Sequence, residues 1–313
     1  NTGNIYITQA IAPKGTSVVH MYTGQDTSTI AETGDGKLTS DGTGTLNLAI
    51  TAAGSVNLDN ENKITTFADT SSSTSNGSVR LNTGNNNLTI GTVDGVTGVT
   101  TKAINNTDAV VLGTQAGFIN NVGSVGITTG SGSYWRVYSA TPEGDTLNGL
   151  KSESYAIWNT KYDKGAVPET VYGYNMDDKA NHYIFQPQFS VKYTPVSTTK
   201  EYGTDLTGYS TGIKGSNYNV DLSEVKNEAY ARDTALVNNY VTALNLLSDG
   251  LPATANVVGS PYALTMTGAN SDGTLVVETP NHYKLVYETG TITVTPAPLT
   301  ITADNKFMAE GAT

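Results

Sequence analysis

Three aromatic residues near the middle of the chain are the strongest candidates for ligand recognition. Trp135, Tyr138 and Trp158 lie in residues 133–165, a segment in which aromatic residues become much more frequent. Aromatic faces stack on carbohydrate rings, so exposed rings here would form a sugar-binding platform. The alternative is structural, since the same rings would cover the apolar end of a stack of β-strands. Both alternatives stay open, and the pattern favours covering.

Two acidic residues stand close enough in sequence to share a cation. Asp59 and Glu61, in the stretch LDNENK, offer the oxygen ligands that Ca²⁺ prefers. The stretch does not have the spacing of an EF-hand loop, and acidic residues beside Gly or Asn are typical of turns. We therefore expect turn residues here, with a calcium site as the alternative, and no other cofactor.

Three asparagines begin the Asn-x-Ser/Thr pattern that accepts N-linked sugars, and they are Asn76, Asn87 and Asn105. Asn, Ser and Thr are so common in this chain that chance accounts for three such patterns. Glycosylation at these positions is a hypothesis, and an unmodified intact mass of native material would contradict it.

Residues that would carry out catalysis do not assemble into a known motif. The chain has no Gly-x-Ser-x-Gly elbow, no His-Glu-x-x-His and no phosphate-binding glycine loop. His20 stands alone, whereas His182 and His282 occupy equivalent places in a repeated motif, which indicates packing at strand entry. The acidic residues of the first half are spread thinly beside Gly or Asn. We expect no enzymatic activity.

Composition excludes several classes of partner. The 313 residues include 28 acidic and 17 basic side chains, and a net charge of −11 argues against binding to nucleic acid. There is no cysteine, so disulfides and thiolate chemistry are excluded. No apolar run approaches the roughly 20 residues needed to span a bilayer. This composition is compatible with secretion from a bacterium, and both ends have the pattern of a fragment cut from a longer chain.

The first half of the chain reads as short strands separated by Gly, Asn, Asp and Ser. Apolar and polar residues alternate in period two, which marks strands with one buried face. Two architectures fit: an antiparallel sandwich, or a parallel β-helix with coils of roughly 20 residues. Scarce aromatic residues and aliphatic interiors favour the β-helix. The predicted strands are 45–51, 55–59, 63–68, 78–82, 87–93, 109–113 and 124–130.

The stretch GTGTLNLAITAAGSVNLDNENKITTF, residues 42–67, resembles the coils of filamentous haemagglutinin-type exoproteins of bacteria. The resemblance is one of pattern and extends over roughly 130 residues. It implies a right-handed parallel β-helix over residues 1–133, and a parent chain exported by a dedicated outer-membrane partner. Residues 134–185 then correspond to an aromatic-rich cap and linker.

A repeated motif marks the second half. ANHYIFQPQFSVKYTP, from Ala180, matches PNHYKLVYETGTITVTPAPLTITA, from Pro280, and KEYG at 200–203 falls where FMAEG falls at 307–311. Between the copies, residues 224–248 carry an apolar stripe at helical spacing and predict a helix. Predicted strands follow at 260–269, 274–279, 282–288 and 291–296. A helix on a small mixed sheet is the expected arrangement.

SPYALTMTGA, YKLVYETGTITVTPAPLTITA and KEYG are similar to the MBG domain, a β-grasp-type module repeated in large bacterial surface adhesins. The resemblance places a small α+β module at 186–296 and the start of a second, truncated one at 297–313. The mainly β chain would then be a segment of a secreted or surface-located adhesin. Its partner would be a carbohydrate, or a receptor on host cells or neighbouring bacteria, as in biofilm cohesion. Alternatives are a polysaccharide-degrading β-helix enzyme and a spacer without binding sites.

Overall fold

The computed structural model describes residues 3–152, 154–164, 179–188, 190–210, 216–221, 228–230, 243–269 and 284–303. These residues are mainly β with parallel sheets, in agreement with the expected β-rich class. Helical conformation is confined, within the same residues, to short 3₁₀ turns at Pro142–Gly144, Thr207–Ser210, Glu228–Tyr230 and Val257–Gly259.

The chain divides into two compact units. The first comprises Asn1–Val191, Leu222–Tyr240 and Val277–Leu285, and the second comprises Lys192–Asp221, Val241–Val276 and Val286–Thr313. The finer boundaries expected at residues 133, 185 and 296 remain predictions.

Many short strands lie in the first unit, and several of them coincide with the predicted alternating segments. In chain order they are β1 (Ile5–Ile7), β2 (Ala10–Ile11), β3 (Thr16–Tyr22), β4 (Thr29–Glu32), β5 (Lys37–Leu38), β6 (Thr45–Ala52), β7 (Ser55–Leu58), β8 (Thr66–Ser71), β9 (Val79–Asn82), β10 (Leu88–Ile90), β11 (Thr92–Val93), β12 (Val96–Thr97), β13 (Val99–Thr101), β14 (Val110–Gly113), β15 (Phe118–Asn120), β16 (Ile127–Thr128), β17 (Trp135–Ser139) and β18 (His182–Phe185).

Later strands of the chain belong mostly to the second unit, although the first residues of β19 and β24 belong to the first. They are β19 (Ser190–Pro195), β20 (Thr198–Glu201), β21 (Tyr218–Asp221), β22 (Ala243–Leu247), β23 (Tyr262–Ala269), β24 (Lys284–Tyr287) and β25 (Gly290–Thr295).

Two seven-stranded sheets organise the first unit. The first sheet has the order β1-β4-β7-β9-β14-β17-β18, and the second sheet has β15-β10-β8-β13-β16 with β6 and β3 joined through β8. Neighbouring strands of each sheet come from separate stretches of the chain, because two parallel strands must be joined by a crossover connection. Among the pairings of β1–β18, only the hairpin β11–β12 is antiparallel, whereas the sandwich alternative required antiparallel sheets.

Register in the first sheet aligns like residues into buried columns. One column contains five aliphatic residues from successive strands of the sheet, and Trp135 of β17 continues it. The five are Ile5, Ile30, Val56, Val79 and Val110. A neighbouring column runs through Leu58, Leu81, Leu112 and Val137 to Tyr183. Most of these side chains are buried, so each added strand extends one apolar core.

A carboxyl group is enclosed in the second sheet. Asp69 pairs with Ile50 on one side and Val99 on the other, and its side chain is fully buried. Loss of water disfavours the charged form, so the pKa of Asp69 is raised well above its ordinary value. The hydroxyl of Ser71 donates a hydrogen bond of 3.1 Å to this carboxyl group.

The second unit contains a mixed four-stranded sheet, and the expected α+β module at 186–296 stays a prediction. The strand order is β20-β25-β23-β22, with β20 and β25 parallel and the other pairs antiparallel. Lys200, in the KEYG motif, is buried in this unit. Its ammonium donates to the carbonyl oxygens of Thr204 (3.0 Å), Leu251 (3.0 Å) and Pro252 (2.5 Å).

The predicted helix at 224–248 is wrong at its carboxyl end. Ala243–Leu247 form β22, which pairs antiparallel with β23. Leu244 and Leu246 are buried while Asn245 and Leu247 are exposed, which is the period of two of a strand. Leu244 and Leu247 also fit the spacing of a helical stripe, and the sequence pattern therefore favours a helix here. Residues 224–227 and 231–242 of the predicted helix lie outside the described residues, as do the predicted strand at 274–279 and His282.

Candidate functional site

A polar groove lies where the parallel strands of the first sheet end. One cavity of about 450 Å³ is lined by residues that follow or end β7, β9 and β14, together with the segment 161–164, and a second of about 580 Å³ adjoins it. Parallel strands end at the same edge of a sheet, so their following turns come together. The two cavities share Asn60, Glu61 and Lys164, and we call their combined lining the polar groove.

Buried amides fix the turn after β7. The side-chain nitrogen of Asn62 donates to the carbonyl oxygens of Leu58 (3.2 Å), Asn60 (2.7 Å) and Asn82 (3.2 Å). Its side-chain oxygen accepts from the backbone N–H of Leu38 at 2.6 Å. Because Asn62 is fully buried with both groups engaged, the floor of the groove is held in one conformation.

Asn60 and Asn82 extend these contacts to neighbouring strands. Asn60 donates through its side-chain nitrogen to the carbonyl oxygens of Gly34 (3.3 Å) and Gly36, in the turn after β4. Asn82 donates to the carbonyl oxygen of Asp59 at 3.1 Å and accepts from the N–H of Gly84 at 2.9 Å. The groove floor is therefore tied across β4, β7 and β9.

Tyr162 attaches the segment 161–164 to the same edge. Its hydroxyl donates a hydrogen bond to the carboxylate of Asp59, and a guanidinium nitrogen of Arg80 lies 3.3 Å from the hydroxyl oxygen. The ring packs edge-on against Tyr138, with centroids 5.1 Å apart. A Cβ on Gly113 would lie 2.5 Å from the ring of Tyr162, so glycine is needed there for the ring to dock. Burial raises the pKa of Tyr162, and the phenol stays protonated.

Glu32 lies beneath the groove at the end of β4. Burial raises the pKa of this carboxyl group from 4.5 to about 7, and the nearby charge of Asp59 adds to the rise. Oε2 accepts a hydrogen bond of 2.7 Å from the backbone N–H of Asn60, which opposes the shift. Oε1 is buried and has no hydrogen-bond partner among the described residues.

Charges along the groove balance. Three lysines and three carboxylates line it: Lys37, Lys161, Lys164, Asp35, Glu61 and Asp163. The chain as a whole carries a net charge of −11. The groove is thus a locally neutral, polar surface on an acidic protein, and its chemistry is that of hydrogen bonding.

The predicted aromatic platform is buried. Trp135, Tyr138 and Trp158 have exposed fractions of 2%, 5% and 0%. Trp135 meets Tyr183 edge-on at 5.0 Å, and Trp158 lies 4.8 Å from Phe185. These rings pack on one another in the first unit and do not present the exposed faces that sugar stacking requires. Their burial favours the covering role.

The two acidic residues predicted as a cation site lie at the polar groove but have different contacts. Asp59 is buried and bound to Tyr162, whereas Glu61 is exposed and its side chain lies over Gly84. No group of three or more His, Cys, Asp or Glu side chains that could hold a metal ion occurs within the described ranges. Ca²⁺ takes six to eight oxygen ligands, so a site here would need further oxygen atoms, and the calcium site stays a prediction.

The remaining predicted residues have clear positions. Asn76, Asn87 and Asn105 are all exposed, so sugar attachment there meets no steric obstacle from burial, and glycosylation stays a prediction. His182 is buried and its Nδ1 lies 2.8 Å from the carbonyl oxygen of Tyr155, as a packing role predicts. His20 is not alone, because its Nδ1 lies 2.8 Å from a carboxylate oxygen of Asp94.

Sequence reasoning did not foresee the groove itself. Glu32, Arg80 and Tyr162 lie far apart in the chain and carry no motif. Parallel strands bring Glu32 and Arg80 to one edge of the sheet, and side-chain hydrogen bonds bring Tyr162 there. No family model, curated protein or solved structure matches this chain. Within the described part of the chain, no helix is long and apolar enough to cross a membrane.

Proposed function

We propose that this chain is a non-enzymatic segment of a secreted bacterial surface adhesin. In this proposal the first unit is a right-handed parallel β-helix, and the second is an MBG-type β-grasp-like module that helps to display it. The function is attachment to host cells, glycans or neighbouring bacteria. Many weak contacts from repeated segments would sum to firm attachment through multivalency.

The observation that carries the proposal is the column register of the first sheet. Ile30, Val56, Val79 and Val110 repeat one buried position in successive parallel strands, which is the pattern of a solenoid core. Such a core resists bending because every strand is hydrogen-bonded to the next, and stiffness is what a display element needs. Aromatic rings at the later strands, including Trp135 and Tyr183, support the expected cap.

The second unit adds a separate line of support. Lys200, the lysine of the KEYG motif in β20, donates to three carbonyl oxygens of segments outside the mixed sheet. This lysine ties down the segments around Thr204 and Leu251, so the KEYG motif has a structural role in the second unit. This fits the resemblance to MBG domains that the sequence carries at 186–296.

Attachment of coated particles tests the proposal. Beads carrying the whole chain should adhere to bacterial or host-cell layers more than beads carrying an unrelated protein of similar pI. Soluble chain added in excess should compete with the beads. Equal adherence of both bead types would contradict adhesion and favour the spacer alternative.

One observation favours a polysaccharide-degrading enzyme as the second candidate. Burial raises the pKa of Glu32 to about 7, and Asp59 lies near it. Two carboxyl groups at one site are the arrangement used in glycoside hydrolysis. Both groups are engaged by the protein, through Asn60 and Tyr162. Release of reducing ends from polysaccharides by the wild type, and its loss in Glu32→Gln, would establish this candidate in place of adhesion.

A further inference from the structure

We infer that the polar groove is a binding site for a neutral, hydroxyl-rich oligosaccharide. This inference rests on the proposed function, because it names the surface through which the first unit would attach. It differs from the aromatic platform expected from the sequence, and it uses residues at the strand ends of the first sheet.

The size of the groove fits an oligosaccharide. Its two cavities, of about 450 and 580 Å³, adjoin through Asn60, Glu61 and Lys164. Ligand sites in proteins are typically about 300 to 1,000 Å³, so each cavity has the size of an ordinary small-molecule site. Adjoining cavities of this size accommodate several linked sugar rings rather than one.

The charge balance selects a neutral ligand. Three lysines and three carboxylates line the groove, so neither an anionic nor a cationic chain gains from its net charge. A polyanion would gain contacts with Lys37, Lys161 and Lys164 but would meet Asp35, Glu61 and Asp163 as well. Sugar hydroxyls both donate and accept, so they bond to ammonium and carboxylate groups alike.

Several groove side chains are available for such bonds. Asp35, Lys37, Glu61, Gln115 and Asp163 make no side-chain hydrogen bond among the described residues, and only Gln115 of the five is half-buried rather than exposed. Gln115 and Glu61 both line the first cavity, where an amide and a carboxylate would engage hydroxyls of one ligand. These two are the residues we expect to contribute most.

The floor beneath them is rigid, which lowers the cost of binding. Asn60, Asn62 and Asn82 hold the turns in place with hydrogen bonds that are already complete. A ligand therefore orders only itself and a few surface side chains. Preorganisation of this kind suits weak, repeated recognition of a polysaccharide.

Calorimetric titration tests the inference with defined probes. The neutral probes are maltohexaose, cellohexaose, laminarihexaose and mannohexaose, and the acidic probe is hexagalacturonate, each titrated into the whole chain. At least one neutral hexasaccharide should bind, with a dissociation constant that changes less than about twofold between low and high salt, since no net charge is neutralised. Binding of only the acidic probe, or of none, would overturn the inference.

Variants locate the site. The double variant Glu61→Ala/Gln115→Ala should weaken binding by about tenfold or more, as expected from the loss of two or more hydrogen bonds. The matched control Glu143→Ala/Gln25→Ala changes the same residue types at exposed positions of the first unit outside the groove and should bind as wild type. Unchanged tryptophan emission shows that each variant is folded. Equal binding by the groove variant and wild type would overturn the inference.

Bead attachment separates the two proposals. If beads carrying the groove double variant adhere as well as wild type, adhesion stands and the groove is not its site. If wild-type beads fail to adhere while a neutral hexasaccharide still binds in the groove, the inference stands and adhesion fails.

Discussion

The hydroxyl of Tyr162 donates a hydrogen bond to the carboxylate of Asp59, 103 positions earlier in the chain. This contact joins the segment 161–164 to the turn after β7 and closes one side of the polar groove. Arg80 approaches the same hydroxyl from the neighbouring strand. The three residues form a buried polar network in which each member would be costly to leave unpaired.

Removing the hydroxyl of Tyr162 should destabilise the first unit. Tyr162→Phe leaves the buried carboxylate of Asp59 without this donor, and we expect a loss of about 1–3 kcal/mol in the free energy of unfolding. Denaturant unfolding followed by tryptophan fluorescence measures it. Tyr22→Phe, at an exposed tyrosine, is the control and should change stability by less than about 0.5 kcal/mol. Equal stability of both variants would show that the network contributes little.

Glu32 should make stability depend on pH. Its pKa is about 7 when folded and 4.5 ordinarily, so the unfolded chain loses this proton first as the pH rises. The contribution of Glu32 is fully present below pH 4.5 and is lost as the pH rises through about 7. Glu32→Gln removes this loss, because its amide does not titrate.

The difference between the variant and wild type isolates this effect. Other carboxyl groups with raised pKa values, including Asp69 and Asp145, are common to both proteins. The stability of Glu32→Gln relative to wild type should therefore increase between about pH 5 and about pH 8. Unfolding midpoints in denaturant at several pH values measure it, and a constant difference would contradict the raised pKa.

Both tryptophans should be shielded from solvent. Trp135 and Trp158 are the only tryptophans and are buried in the first unit. We expect emission at short wavelength and little quenching by iodide in the folded chain, with strong quenching after unfolding in guanidinium as the reference. Folded-state quenching close to that reference would show that the rings are exposed and would support the aromatic platform.

Lys200 should be essential to the second unit. Lys200→Met keeps an unbranched apolar stem but leaves three carbonyl oxygens without their charged donor, and we expect a loss of about 2–4 kcal/mol. Lys192→Met, at a half-buried lysine of β19, is the matched control and should lie within about 1 kcal/mol of wild type. Protection of the backbone N–H groups of β23 and β25 from hydrogen exchange measures the change. Undiminished protection in Lys200→Met would count against the role.

Local pattern predicts strands well in this chain and long-range contacts poorly. The alternation in TLNLAIT and SVRLN gives β6 and β9, because each strand has one face in the core. The same rule fails at 243–247, where leucines spaced for a strand also fit a helical stripe. Burial of Trp158 could not be read from its sequence neighbours, since the partners Phe185 and Tyr230 come from distant segments.

The site shows the same limit. Asp59 and Glu61 are recognisable as a pair of oxygen donors from sequence alone. Asp59 is bound by Tyr162, whereas Glu61 is exposed to solvent, and neither environment can be predicted from local composition. Nothing in the sequence around Glu32 indicates its raised pKa, because the shift results from burial against the turn that follows β7.

Column register gives this protein an evolutionary freedom. Ile30, Val56, Val79 and Val110 carry the stacking, whereas the turn residues that follow their strands face the groove. Substitutions at Glu61 or Gln115 therefore alter the groove surface without disturbing the packed interior. The turns can therefore change one position at a time while the buried columns keep the strands in register.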